Sequence, residues 1–150
     1  MSWINKAAVF VLILLVFSVL SCYKVFPTYS STRPDTLSNQ QRFKDLLEVK
    51  LTPDVKNIYC FADYLGIDFS IQLAFTCNAS TAKRIIEQQN LAIDIITNHD
   101  AFGIDDEFSW WNRQKIQPLP LHTWKKEGEY YKYFWYDAKL GKAYYLEFTV

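Results

Sequence analysis

The chain is short of several things, and each shortage closes off chemistry. It holds four glycines among 150 residues, and none lies in a phosphate-binding loop or a dinucleotide-binding pattern. A glycine-rich phosphate cradle is therefore not supported. No Gly-x-Ser-x-Gly nucleophile elbow and no His-Glu-x-x-His pair occurs, two short signatures of hydrolytic sites. A surplus of one charge is missing too, since 16 basic side chains balance 16 acidic ones. Such a chain lacks the basic footprint that a phosphate backbone demands, which argues against a nucleic-acid partner. It has no polybasic patch for anionic lipid either.

The few polar groups that could carry catalysis do not assemble in the sequence. His99, Asp100, Asp105, Asp106 and Glu107 could supply metal ligands. Their spacing fits neither a zinc site nor an EF-hand, and a solvated acidic loop explains them as well. A thiol nucleophile would need Cys60 or Cys77 beside His99 or His122, but both cysteines fall on the apolar side of expected strands, where a thiolate is disfavoured. The carboxylate pairs Asp63 with Asp68 and Asp105 with Glu107 suit turns and solvation equally. The expectation is no metal, no cofactor and no enzyme.

What is present begins at the N-terminus. A short leader carrying Lys6 precedes an apolar run from Ala7 to Leu20, interrupted only by Ser18. These 14 residues, at ~1.5 Å each, cover ~21 Å of a ~30 Å hydrocarbon core. That length suits an export signal that is removed, residues 1–21. The run ends in Val19-Leu20-Ser21-Cys22, which resembles the lipobox of bacterial lipoproteins. The resemblance covers the signal alone. It implies cleavage behind Ser21 and a diacylglyceryl thioether on Cys22, holding the protein in the cell envelope and facing the periplasm. Tyr23 is not the Asp that retains such proteins at the inner membrane, so the resemblance favours the outer one. Two or three acyl chains anchor stably at about 0.8 kcal/mol per buried CH₂. An uncleaved anchor with Cys22 an ordinary thiol, and simple secretion, are the other readings of the same run.

Loss of residues 1–21 removes Lys6 and no acid, leaving 15 basic against 16 acidic side chains. Residues 22–36 carry two prolines and five Ser or Thr and read as an extended, lipidated tether. Residues 37–150 are long enough for one domain with its own core.

Within that domain, Ser38 and Gln41 fit a capping box for a helix with Phe43, Leu46 and Leu47 on one face. Two runs of period two follow, Ile58 to Asp63 and Ser70 to Cys77. An odd-sum hairpin register places Cys60 and Cys77 on one face, and a loop centred between Asp68 and Phe69 would set them opposite each other. A disulfide is then possible, with two buried free thiols as the alternative. A second helix starts at Asn78 or Ser80 and presents Ala82, Ile85, Ile86 and Gln89. Residues 97–128 read as an irregular, aromatic-rich connection. A C-terminal hairpin then sets Asp137 opposite Lys142 and Lys132 beside Glu147. The expected fold is α+β, in the order α-β-β-α-loop-β-β, with a four-stranded antiparallel sheet and two helices on one face.

Aromatic residues make up 17% of the chain, enough to weigh against the core alone. Trp110, Trp111, Trp124, Tyr130, Phe134 and Tyr136 form the candidate binding surface, set against a role as ordinary core. The reading that follows is an anchored module that binds another envelope protein, in the format of an inhibitor or immunity protein. Recognition of a glycan or small ligand by stacked aromatics is the second reading, and a small hydrolase the third.

Overall fold

The computed structural model describes residues 29–65, 68–94, 108–126 and 128–149. The expected signal, Cys22 and the His99–Glu107 stretch lie outside the described residues. In chain order the elements are α1 (Leu37–Leu47), β1 (Lys56–Leu65), β2 (Asp68–Thr76), α2 (Ala79–Gln88), β3 (Ala92–Asp94), α3 (Arg113–Ile116), β4 (Leu121–Lys126), β5 (Tyr130–Asp137) and β6 (Lys142–Thr149).

The sheet is larger than expected. Six strands lie in the order β1-β2-β6-β5-β4-β3, with every neighbouring pair antiparallel. This corrects the four-stranded sheet, and the molecule is mostly β. Both additional strands come from the region around the aromatic-rich connection. β3 has only three residues, too few to show a period. β4 follows Pro118 and Pro120, whose turn signal masks the alternation of Leu121 and Thr123 with His122 and Trp124.

The C-terminal hairpin has the expected register, Asp137 opposite Lys142 and Lys132 opposite Glu147. Gly141 closes its loop at φ +61, where a Cβ would lie 3.1 Å from the Cys77 carbonyl oxygen. Glycine meets both demands at once. The first hairpin does not take the register that a disulfide requires. Its strands converge at Leu65 and Asp68, so Cys60 faces Leu73 and not Cys77. Four residues of strand correspond to roughly 13 Å, well beyond the span of a disulfide. Cys60 and Cys77 are both buried free thiols, and the bond weighed for them is not formed.

Helix caps follow the side-chain chemistry of the residues beside them. Thr36, and not Ser38, caps α1, its hydroxyl accepting the Asn39 N–H at 3.2 Å. Asn78 caps α2 through the Thr81 N–H at 2.8 Å. Asp54 steadies that cap by accepting the Asn78 N–H at 3.0 Å. This bond is the main reason its carboxyl is lowered to about 2.

The two faces of the sheet are sealed differently. On one, Phe43 and Leu47 of α1 and Ala82 and Ile85 of α2 join Ile58, Cys60, Leu73, Phe75, Phe134 and Tyr145 in the larger core. On the other, residues 108–121 lay Trp110, Trp111, Ile116 and Leu121 over Ala74, Trp135, Tyr144 and Leu146.

Residues 29–36, expected to be free tether, belong to the domain. They run antiparallel along the outer edge of β1: Tyr29 Oη donates to the Ala62 carbonyl at 2.7 Å, Cys60 N–H to the Ser30 carbonyl at 3.3 Å, and Asp35 N–H to the Ile58 carbonyl at 3.0 Å. A bulge between Lys56 and Tyr59 turns two N–H groups outward, and the Asp35 carboxylate accepts both, from Asn57 and Ile58, at 2.9 Å. Fully buried Asn39 reaches back to bond the Ser30, Arg33 and Ile58 carbonyls and the Ser30 N–H. This strap covers a strand edge that would otherwise offer unpaired backbone groups.

Candidate functional site

The structure divides the six aromatic candidates between the two faces. Trp110 and Trp111, only 5% and 4% exposed, lie on the face opposite α1 and α2. Trp110 stacks on Tyr59 at 5.5 Å, while Trp111 meets Trp135 and Tyr144 edge-on at 6.2 and 5.8 Å. The Trp110 indole N–H donates to the Ser31 carbonyl at 2.7 Å, so the tryptophan segment also clamps the strap. Trp124, Tyr130, Phe134 and Tyr136 point to the helix-bearing face. Phe134 is fully buried there, and Tyr136 Oη donates to the Cys77 carbonyl at 3.1 Å. The six do not form one patch.

Two aromatic assemblies do stand out. The first continues the tryptophan-bearing layer beyond the tryptophans. Tyr131 and Tyr133 of β5 flank Phe148 of β6, with ring centroids 4.9 and 5.6 Å from it and planes within 20° of parallel. Trp135 extends the ladder at 5.9 Å. Tyr131, Tyr133 and Phe148 are half-buried, unlike the sealed tryptophans beside them. Close to this layer the Gln72 side-chain oxygen is buried without a hydrogen-bond partner. Such an orphan acceptor costs about 1–3 kcal/mol.

The second assembly crosses one end of the helix-bearing face. Tyr64 of β1, Phe69 of β2, Tyr130 of β5 and Trp124 of β4 follow one another at ring separations of 6.4, 6.0 and 5.7 Å. Tyr64 is 47% and Trp124 38% exposed. Arg42 donates to Tyr64 Oη at 2.8 Å. The Lys132 ammonium lies 5.9 and 5.7 Å from the Trp124 and Tyr130 ring centres, and donates to Gln89 Oε1 at 2.7 Å. Lys132 therefore reaches Gln89 instead of the ion pair expected with Glu147. Buried Glu147 accepts hydrogen bonds from the hydroxyls of Tyr130 and Tyr145. Burial, reinforced by that carboxylate, pushes both phenols far above their usual range, so they stay protonated donors.

Neither described cysteine is poised as a nucleophile. Burial pushes the Cys60 and Cys77 thiols up to about 12, which leaves them protonated at neutral pH. Burial also lowers His122, whose Nδ1 is enclosed without a partner. Among the described residues no cluster of three His, Cys, Asp or Glu could hold a metal ion, and no helix is long and apolar enough to cross a membrane.

Sequence reasoning missed Tyr64, Phe69 and Glu147. The first two face each other across the first hairpin turn, a pairing that is defined only once the offset of the two strands is known. Compared with protein-family profiles, curated proteins and solved structures, the chain matches none.

Proposed function

We propose that the protein is an envelope lipoprotein, anchored through acylated Cys22 and facing the periplasm, whose domain is a non-enzymatic module that binds a protein partner. The contact surface in this reading is the face opposite α1 and α2, around Tyr131, Tyr133 and Phe148, beside the tryptophan segment. It replaces the expected surface at Tyr130, Phe134 and Tyr136 on the other side of the C-terminal hairpin, where Phe134 and Tyr145 are core. The observation that supports it is the half-buried ladder at the end of an otherwise sealed aromatic layer. Tyrosine-rich surfaces of this kind supply binding energy at low entropic cost, because each ring buries much area with few rotors to fix. Rings that stack on one another occupy their faces mutually, and a sugar needs a free ring face. That geometry favours a polypeptide over a glycan at the ladder.

The test is chemical crosslinking in cells followed by recovery from membranes, comparing the natural protein with a Tyr131→Ala, Tyr133→Ala double variant. A stoichiometric protein partner, lost in the variant, is the expected result. Recovery of none, or of one indifferent to the variant, overturns the reading. Mass spectrometry of the mature N-terminus tests the anchor separately, and the expected first residue is a lipid-modified Cys22.

A further inference from the structure

From the strap and the exposed aromatic row, we infer that the end of the sheet bearing Tyr64, Phe69, Tyr130 and Trp124 rests on the headgroup region of the bilayer that holds the anchor. The inference relies on the Cys22 anchor proposed above and adds to it an orientation and a second contact surface.

The strap gives the direction of approach. Its bonds run from Ala62 at Tyr29, through Cys60 at Ser30, to Ile58 at Asp35. The chain therefore enters the domain at the Ala62–Leu65 end of β1, the end that carries Tyr64 and, across the sheet, Phe69, Tyr130 and Trp124. Distance does the rest. Seven residue steps separate Cys22 from Tyr29, a reach of at most about 25 Å. The ten residues of β1 are about 33 Å long. A tether shorter than the strand keeps the entry end nearer the bilayer unless it is pulled taut.

The side chains at that end suit a membrane–water interface. Trp and Tyr carry an apolar ring with a polar tip, and cationic side chains lie along such rings with their charge in water. Tyr64 and Trp124 are the exposed rings, with Arg42 and Lys132 held against them. Lys126 is matched by Glu129 and Lys125 by Asp94. The contact thus asks for a headgroup layer in general and not for a strongly anionic lipid.

The experiment uses the full-length, lipid-modified protein in vesicles of phosphatidylethanolamine and phosphatidylglycerol with brominated acyl chains, which quench tryptophan emission on close approach. Quenching is expected to be largely lost on Trp124→Phe and weakened on Tyr64→Ser. It should be unchanged on Ile93→Ser, an exposed apolar residue outside the row. A protein with lipid on Cys22 that floats with the vesicles, yet shows no quenching dependent on Trp124, overturns the orientation and leaves the lipoprotein reading intact. Quenching that requires native membranes, and is missing with protein-free lipid, assigns the row to a membrane protein and overturns the inference. Absence of lipid on Cys22 overturns the anchor and the inference together.

Discussion

The two faces of one sheet are closed by unlike means. Two capped helices seal the first with Phe43, Leu47, Ala82 and Ile85. A stretch with a single four-residue helix, α3, seals the second with Trp110, Trp111 and Ile116. The helix face can use small and branched residues because a helix satisfies its own backbone and brings a ready apolar stripe. An irregular segment has no stripe to offer, so it must cover area with a few large rings. Each kind of cover leaves a different surface open. The helices stop short of one end of their face, exposing the Tyr64–Trp124 row. The tryptophan segment stops short of the Tyr131–Phe148–Tyr133 ladder.

If the irregular segment is core of the same quality as the helices, Trp111→Ala destabilises the domain by about 3–5 kcal/mol, matching Phe43→Ala on the other face. Urea unfolding followed by circular dichroism measures both. A loss below about 1 kcal/mol for the tryptophan alone would show the segment to be a loose cover.

The strap joins the two sides, since Asn39 of α1 and Trp110 both hold it. Asn39→Ala removes bonds to two strap carbonyls and to Ile58, at an expected cost of about 1–3 kcal/mol. Cleavage within residues 29–36 should accelerate in limited proteolysis. Unchanged cleavage would mean that Asp35 and Trp110 suffice to hold the strap.

Among the described residues, only the face bearing α1 and α2 buries a carboxylate, Glu147. Glu147→Gln keeps the shape but gives the Tyr130 and Tyr145 hydroxyls a neutral partner, costing about 1–2 kcal/mol. A stabilised variant would show instead that the buried charge outweighs its hydrogen bonds.

The smallest effect is acid loosening at the α2 cap. Asp54 is lowered to about 2 from an ordinary value of 3.8. Its contribution is complete above the ordinary value and fades as pH falls through the lowered one. Thermal melts between pH 4 and pH 2 should therefore fall, less steeply in Asp54→Asn. Equal slopes in the two proteins would remove Asp54 from the acid response.

Much of the helix side was legible beforehand. The faces of α1 and α2, the Asn78 cap and the C-terminal register all follow from periodicity, capping chemistry and a glycine-closed loop, which are local signals. The misses share a cause. β3 has three residues and gains its conformation from β4, so nothing local announces it. The first hairpin is recognisable but its offset is not, because alternation sets parity and leaves the pairing offset free. That offset separated Cys60 from Cys77 and hid the Tyr64–Phe69 pair. The strap looked like tether because its prolines and hydroxyls suit an extended chain, and an extended chain can equally dock on a strand edge.

The period of each strong element, and the side on which each residue of a strand lies, can be read from the chain alone. Those depend on neighbours a few positions away. Tertiary structure alone decided the strand order, the offset of the first hairpin, which aromatics became core and which stayed half-open, and the docking of residues 29–36. Each of these is settled by competition among distant surfaces for burial, and no local window of the chain contains both competitors.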